Sequence, residues 1–531
     1  PPARADPRHM LGSYGRANAL NGAGSVASAA IRSRLPRMTR RTTAFRAALL
    51  LLALGAPLPV AAEQAQALRQ QTLQQHVEAV LSEAGPGTRF GLVVTTLDGR
   101  EIVAIAPDKR FVPASNTKIF TTAAAFETLQ VNGPDTTGGA AVRLDHSRPG
   151  APDVVLTGHG DARLSSAPDC IANCLAELAD AVAARTRVVR DVVGDDSLFP
   201  DERWAPGVSW EDIPTRYGTA TSALTLDDNE LDLRVVPGAT GAHATIEGHR
   251  YFTIDNDVTT VASGETGLDY HRLPNSRDLR LSGTIAAGAE PALLRLGIDD
   301  PAHHAAWRLK DLLEARGVRV TGGATTRHRP LAPADNPAVR KGAPAARPPA
   351  PEFLARLTPP PLVEDVRTVN KVSQNLHAEL LLRRIARESG SGSIADGQAA
   401  VANMLARAGV EPWRTELHDG SGMSTYNRVS PRGLVRLLRW TVGQPWGEAF
   451  RETLPVGGVD GTLERRFKGT PLEGKVFAKT GTLSVASALS GFMTAASGQT
   501  LVFSSFANDM PDGASATAAV DAALNLIAAE N

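Results

Sequence analysis

Cysteine is almost missing from this 531-residue chain, which has two, Cys170 and Cys174. A framework of several disulfides is thereby excluded, and so is a centre built on clustered thiolates. Four residues apart on a regular helix is poor disulfide geometry, so a bridge requires Cys170 to lie in a loop ahead of the helix. Bridged and free thiols both stay open on this ground. Net charge is also absent, with Lys plus Arg and Asp plus Glu at 56 each. Nothing in that balance points to nucleic acid or an anionic membrane, and a small molecule or neutral polymer fits better as substrate. No stretch reaches the ~20 consecutive apolar residues of a membrane-spanning helix, and no amphipathic anchor follows Asn508. Lysine is scarce as well, with only eight, at 109, 118, 310, 341, 371, 468, 475 and 479. Where a chain that defaults to arginine uses lysine, a role needing a removable proton gains weight, because guanidinium does not deprotonate in proteins.

What is present begins with "MTRRTTAFRAALLLLALGAPLPVAAE". Arg40, Arg41 and Arg46 precede the apolar run Ala47 to Leu54, and small residues end at Ala62. That order is the pattern of a secretory signal over residues 38–62, with cleavage expected after Ala62 and a periplasmic destination. Residues 1–37, upstream of Met38, read as a disordered leader.

From Gln64 to Ser82 a helix is expected, followed by a hairpin turning at Asp98-Gly99. The stretch "VPASNTKIFTTAAAFETL" then reads as a helix start, with Pro113 and Ser115 ahead of an Ala-, Phe- and Leu-rich run. Beyond about Gly133, short strand-like runs such as "DVVLTG" and "RVVRDVVGDDSLF" predict an α/β module over 136–225 and 294–350. Residues 226–293, with "LDLRVVP", "HATIEG", "YFTIDNDVTTVAS" and "DLRLSGTIA", predict a small β unit nested within it. "RHRPLAPADNPAVRKGAPAARPPAPEF" is a Pro- and Ala-rich linker. After it, "VEDVRTVNKVSQNLHAELLLRRIARE" reads as one long helix. More helices follow, then the strands "KVFAKTGTL", "ALSGFMTAASG" and "TLVFSSFAND", then a closing helix from Ala514 to Ala529. The expected fold class is multidomain α/β. Residues 63–135 and 351–531 form one domain of antiparallel sheet flanked by helices, split by the large insertion.

Three short motifs stand in order: Ser115-Asn116-Thr117-Lys118, Ser373-Gln374-Asn375 and Lys479-Thr480-Gly481. Each alone has a plain reading: a helix cap, a helix-start amide and a solvated edge charge. Together and in this order they are the signature of serine penicillin-recognising enzymes. With "YGTATSALTLDDN", "SQNLHAELLLR", "DGSGMSTYNRVSP" and "LPVGGVDGTLERRF", the chain from about Gln64 onward resembles the class C low-molecular-mass penicillin-binding proteins. These act as D-alanyl-D-alanine carboxypeptidases and DD-endopeptidases. Gln374 departs from the Asp or Asn usual there, at a position that points away from the reacting atoms in the family's arrangement.

The resemblance implies a penicillin-binding/β-lactamase-like fold and peptidoglycan peptides and β-lactams as partners, with no metal and no cofactor. The chemistry asks for what these positions offer. Ser115 Oγ needs a base, and Lys118 can be one only as a neutral amine, its proton affinity lowered by burial and by a second cation, Lys479. Lys479, Thr480 and the strand backbone through Gly481 and Thr482 would hold the substrate's terminal carboxylate. By resemblance, Ser373 relays a proton to the departing amine, Asn375 binds a substrate peptide carbonyl, and the Ser115 and Thr482 N–H groups form the oxyanion hole. A β-lactamase, or a catalytically weak wall-binding scaffold, are the competing readings. Elsewhere the plain readings are preferred. His159, His303 and His304 lack metal-ligand spacing, with Asp161 a local turn acceptor beside His159. Lys371 reads as a solvated helix residue. The Asp419–Gly422 loop could line a cleft or merely turn the chain.

Overall fold

The computed structural model describes residues 58–248, 250–344 and 351–531. The chain divides after Glu63, and of the part before that point only residues 58–63 are described, as the start of the first helix. The leader and the signal segment therefore lie outside the described residues, apart from Leu58–Ala62. Among the described residues no helix is long and apolar enough to cross a membrane.

In chain order the elements are α1 (Leu58–Ser82), β1 (Arg89–Thr96), β2 (Glu101–Ile105) and α2 (Thr117–Thr128), then β3 (Ala141–Asp145), β4 (Asp153–Thr157), α3 (Leu175–Ala183), β5 (Val188–Val189) and β6 (Val192–Asp195). Six strands follow, β7 (Glu230–Val236), β8 (Thr245–Gly248), β9 (Thr253–Val261), β10 (Gly267–His271), β11 (Asp278–Ala286) and β12 (Ala292–Gly297). Next come α4 (Pro301–Ala315), β13 (Arg319–Val320), β14 (Ala324–Arg327) and β15 (Ala355–Arg356). The rest comprises α5 (Leu362–Lys371), α6 (Asn375–Ser389), α7 (Ile394–Arg407), β16 (Thr415–Glu416), β17 (Arg428–Val429), α8 (Pro431–Val442), α9 (Gly447–Glu452), β18 (Val476–Leu483), β19 (Ala486–Thr494), β20 (Thr500–Asn508) and α10 (Thr517–Ala529).

The sheet that positions the site is antiparallel, in the order β18-β19-β20-β1-β2. Segments far apart in the sequence therefore meet in one sheet, as β1 pairs with β20 along its whole length from Arg89↔Asn508 to Thr96↔Leu501. Strand side chains alternate between faces, and the two cores follow that period. Val93, Phe492, Val502 and Phe506 pack with α2 and α8 through Phe120, Ala124, Leu434 and Leu438. Leu92, Val94, Met493 and Phe503 pack on the other face with Leu73 and Val77 of α1 and Leu524 and Ile527 of α10. Helices on both faces leave β18 as an edge strand, and that edge borders the site.

Between α2 and α5 the chain builds a separate mixed sheet in the order β14-β6-β4-β3-β15, with α3 and α4 packed on it through Leu175, Leu178, Leu309 and Leu313. The β unit nested within it has two three-stranded sheets, β10-β11-β9 and β12-β7-β8, around Leu233, Val258, Leu281 and Leu296. Sheet pairing carries the insertion past the Pro-rich segment, because β15 pairs with β3 at Ala355↔Val142. Likewise β12 continues to Gly297.

One local expectation changes, and the state of the cysteines, left open by the spacing, is decided. The long helix after the linker is broken: α5 ends at Lys371, and Ser373 takes φ +64 before α6 starts at Asn375. Gln374 caps the new helix, its Oε1 accepting from Leu376 N at 2.8 Å. The cysteines are bridged, Cys170 lying in the loop and Cys174 just ahead of α3, with Cα atoms 5.8 Å apart.

Candidate active site

The nucleophile candidate sits in a short 3-10 turn, Ala114–Asn116, that leads into α2. Ala114 is held at φ +46, a costly conformation for a residue with a side chain. Two contacts hold the turn there. The Asn116 side chain donates to the Lys479 carbonyl at 2.7 Å, tying the turn to β18. Gly481 of β18 lies so close that a Cβ at that position would stand 2.8 Å from Pro113 O and 3.0 Å from Ser115 N. Only glycine lets the edge strand approach the turn this closely.

Ser115 does not cap the helix, since α2 has no side-chain cap. Its Oγ instead accepts a hydrogen bond from Lys118 Nζ at 2.9 Å. Lys118 is fully buried, and its three donors are all used: the other two go to Asn375 Oδ1 and to the Ser421 carbonyl, each at 2.6 Å. Burial lowers its proton affinity to about 7, against the opposing pull of the Asp419 and Glu379 carboxylates. A lysine at that value is an available base at neutral pH.

Lys479 is equally buried, although it belongs to an edge strand. Its Nζ donates to Ser373 Oγ at 2.8 Å and to the Thr480 carbonyl at 3.0 Å. Burial first, and then the Lys118 charge, hold it well below the usual lysine range. The broken helix explains the Ser373 contact, because the left-handed residue between α5 and α6 carries the hydroxyl to Lys479 while Asn375 opens α6 beside Lys118. Asn375 is further held by donating from Nδ2 to the Tyr217 carbonyl of the insertion at 2.9 Å. Thr480 Oγ1 donates to Thr462 Oγ1 at 2.8 Å, and Thr482 is exposed along the same strand.

All five residues expected to act in chemistry, Ser115, Lys118, Ser373, Asn375 and Lys479, thus converge, with Thr480, Gly481 and Thr482 along the adjoining strand. The sequence reading missed the Ser421 carbonyl, and the Asp419–Gly422 loop it left open lines the site. The signal was the glycine spacing. Gly422 sits at φ +90, where a Cβ would collide with the Ala114 carbonyl oxygen. Gly422→Ala is therefore expected to slow penicillin acylation at least ~10-fold and to cost about 1–3 kcal/mol of stability. Intact-protein mass spectrometry against time, beside a thermal melt, measures both; a fully active, equally stable variant would show that the loop can move away freely. Lys371 is not a solvated charge: it is partly buried and pairs with Asp460 at 2.6 Å. His159 bonds through Nδ1 to Gly139 O at 2.8 Å, while Asp161 accepts from Arg163 N at 2.8 Å.

The D-Ala-D-Ala carboxypeptidase 3 (S13) family matches residues 73–530. The D-alanyl-D-alanine carboxypeptidase of Actinomadura sp. (strain R39) is 33% identical over 456 residues, covering 82% of this chain and 81% of the relative. The D-alanyl-D-alanine carboxypeptidase DacB of Haemophilus influenzae is 26% identical over 451 residues, covering 80% of this chain and 87% of the relative. The crystal structure of penicillin binding protein 4 (dacB) from Haemophilus influenzae superposes with a TM-score of 0.70 at 23% identity, covering 85% of this chain and 98% of that one. A second structure of that protein, complexed with a β-lactam, has a TM-score of 0.65 at 22% identity, covering 85% and 97%. With the family matched over nearly all the described residues and a relative one-third identical over four-fifths of the chain, the protein belongs to the D-Ala-D-Ala carboxypeptidase 3 (S13) family.

Proposed function

We propose that Ser115 is the acyl-carrying nucleophile of a serine DD-peptidase and that Lys118 is its base. The observation that carries this is the 2.9 Å contact between Lys118 Nζ and Ser115 Oγ, made by a buried lysine poised at about 7. The family supplies the reaction class, D-alanyl-D-alanine carboxypeptidase.

In the neutral form Lys118 takes the Ser115 proton as Oγ attacks the carbonyl carbon of the penultimate D-alanine. The negative charge forming on that carbonyl oxygen is met by the N–H groups of Ser115 and Thr482, which the close approach of Gly481 to the turn favours. Collapse breaks the C–N bond. The proton passes from Lys118 to the departing amine, with Ser373 as the relay and Lys479 setting its orientation. Water then attacks the Ser115 ester, gives a proton back through the same base, and releases the shortened peptide. Lys479 and Thr480 hold the substrate's terminal carboxylate, whose negative charge offsets the two lysines in the pocket. Asn375 orients the substrate's preceding peptide group.

The substrates on this reading are peptidoglycan stem peptides ending in D-alanyl-D-alanine, with cross-links as a second target, and β-lactams are acylating inhibitors. The signal-like segment 38–62 supports export to the periplasm. We further propose that the enzyme domain spans residues 63–135 and the part of 351–531 beyond β15, and that the insertion walls the cleft, which the Asn375 contact to Tyr217 supports. The β-lactamase and scaffold readings have no observation in their favour.

The pH dependence of acylation is the test. The reactive species is neutral Lys118, so the rate of penicillin acylation is expected to rise with pH through a midpoint near 7. A midpoint near ~10, the ordinary lysine value, would remove Lys118 as a pre-neutralised base.

A further inference from the structure

The Asp419–Gly422 loop touches the lysine through one atom, the Ser421 carbonyl, 2.6 Å from Lys118 Nζ. A carbonyl on a loop holds such a position only if the backbone around it is pinned, and here it is pinned from two sides. From α6, one turn after Asn375, Glu379 Oε1 accepts from Gly420 N at 3.0 Å and from Ser421 N at 2.9 Å. From α2, Thr121 Oγ1 donates to Gly420 O at 2.7 Å. Within the loop, Asp419 accepts from Gly422 N at 3.0 Å, from Ser424 N at 2.7 Å and from Asn427 Nδ2 at 2.7 Å. Asp419 thus closes the loop on itself, whereas Glu379 ties it to the helix that presents Asn375. The two lysine contacts supplied by Asn375 Oδ1 and Ser421 O therefore share one support.

We propose that Glu379 is a positioning residue for acylation: its carboxylate holds the Ser421 carbonyl on Lys118 and places a negative charge behind that contact. This rests on the reading of Ser115 and Lys118 as nucleophile and base.

The charges around the pair give the direction. Lys118 comes from α2, with Lys479 facing it from β18. Asp419 comes from the loop. Arg383 lies one turn beyond Glu379 on α6, and its guanidinium meets Glu202 at 3.2 Å. Burial and the neighbouring Asp419 carboxylate push Glu379 up to about 7, while Arg383 pulls it down. The Glu379 charge therefore favours the protonated lysine. Removing the carboxylate's charge favours the neutral amine at every pH where Glu379 would have been ionised, so the base becomes available at lower pH.

Glu379→Gln separates charge from geometry, because the amide oxygen can still accept from Gly420 and Ser421. The measurement is the rate of penicillin acylation of the full chain against pH, followed by intact mass, for wild type, Glu379→Gln and Glu379→Asp. The acid limb of Glu379→Gln is expected below that of wild type, with Glu379→Asp returning towards the wild-type midpoint. A folded Glu379→Gln protein whose midpoint is unchanged or higher overturns the proposal, and a purely structural role would give that unchanged midpoint with a lower rate. If Glu379→Gln does not fold, Glu379→Asp is read alone: its shorter carboxylate is expected to lower the limiting rate at a near wild-type midpoint, and a wild-type rate overturns the positioning role. Wild type left unlabelled at Ser115 would instead remove the nucleophile assignment itself, and this inference with it.

Discussion

Ser115→Ala is expected to abolish the penicillin adduct and all DD-peptidase turnover while leaving the protein folded. The argument for lost function is that Lys118 meets the Ser115 hydroxyl, while the other serine hydroxyl of the site, Ser373 Oγ, is engaged by Lys479. The argument for an intact fold comes from the site. Ser115 does not cap α2, so its hydroxyl is not part of the helix's stability. What disappears is one accepted hydrogen bond from Lys118, whose Nζ keeps Asn375 Oδ1 and the Ser421 carbonyl. A hydrogen bond of this kind contributes about 1 kcal/mol net. The turn itself is held by Asn116 and by the approach of Gly481, neither of which changes. Peptide mapping after penicillin treatment, with circular dichroism on the same sample, decides it. An adduct persisting in the folded variant would move the nucleophile elsewhere.

Lys118→Arg is expected to lower the acylation rate by about 10³-fold or more, the scale of a lost general base. The substitution keeps the charge, so a site that needed only a cation would survive it. Two physical facts say this one will not. Guanidinium stays protonated at any accessible pH and can take no proton from Ser115. The cavity is also closed around a single nitrogen, with three acceptors within 2.9 Å of Nζ, and a planar five-donor group does not fit that arrangement. Overpacking of this sort costs roughly 1–3 kcal/mol, which a chain with two cores about its main sheet can absorb. Single-turnover labelling with penicillin, extended to hours, measures the loss. Retention of a near-normal rate would assign the base to another group, with Lys479 acting through Ser373 the next in line.

Much of this site was legible from short motifs. Ser115 and Lys118 share a helix face because they are three residues apart, and Thr480, Gly481 and Thr482 follow Lys479 along one strand. The strands of the main sheet announced themselves by alternation, and the helices by their apolar period. The break at Ser373 was not legible. Residues 363–388 carry a continuous helical pattern, and only the pull of Lys479 on the Ser373 hydroxyl, with the Gln374 cap, shows why the helix stops and restarts. Ser421 could not be found by chemistry-bearing residue type, because it acts through its backbone carbonyl. Lys371 reads as a solvated helix residue, yet it is partly buried against Asp460, whereas Lys479, which the Lys-Thr-Gly motif singles out, lies in the centre of the site.

Apart from the break at Ser373, the sequence by itself determined the main helices and strands, since those preferences reside in local periodicity and in capping residues. It also determined which functional groups are available and in what chain order. Only the tertiary structure decided what those groups are chemically. Lys118 meets its partners Asn375 and Ser421 across 257 and 303 residues of chain, and Asn116 meets the Lys479 carbonyl across 363. A lysine's proton affinity is set by the water removed from around it and by the charges brought near it, and both come from segments remote in sequence. A serine three residues before a lysine is a helix start in many chains. Here burial of that lysine against α6, the Asp419–Gly422 loop and the edge of β18 brings its proton affinity down to about 7.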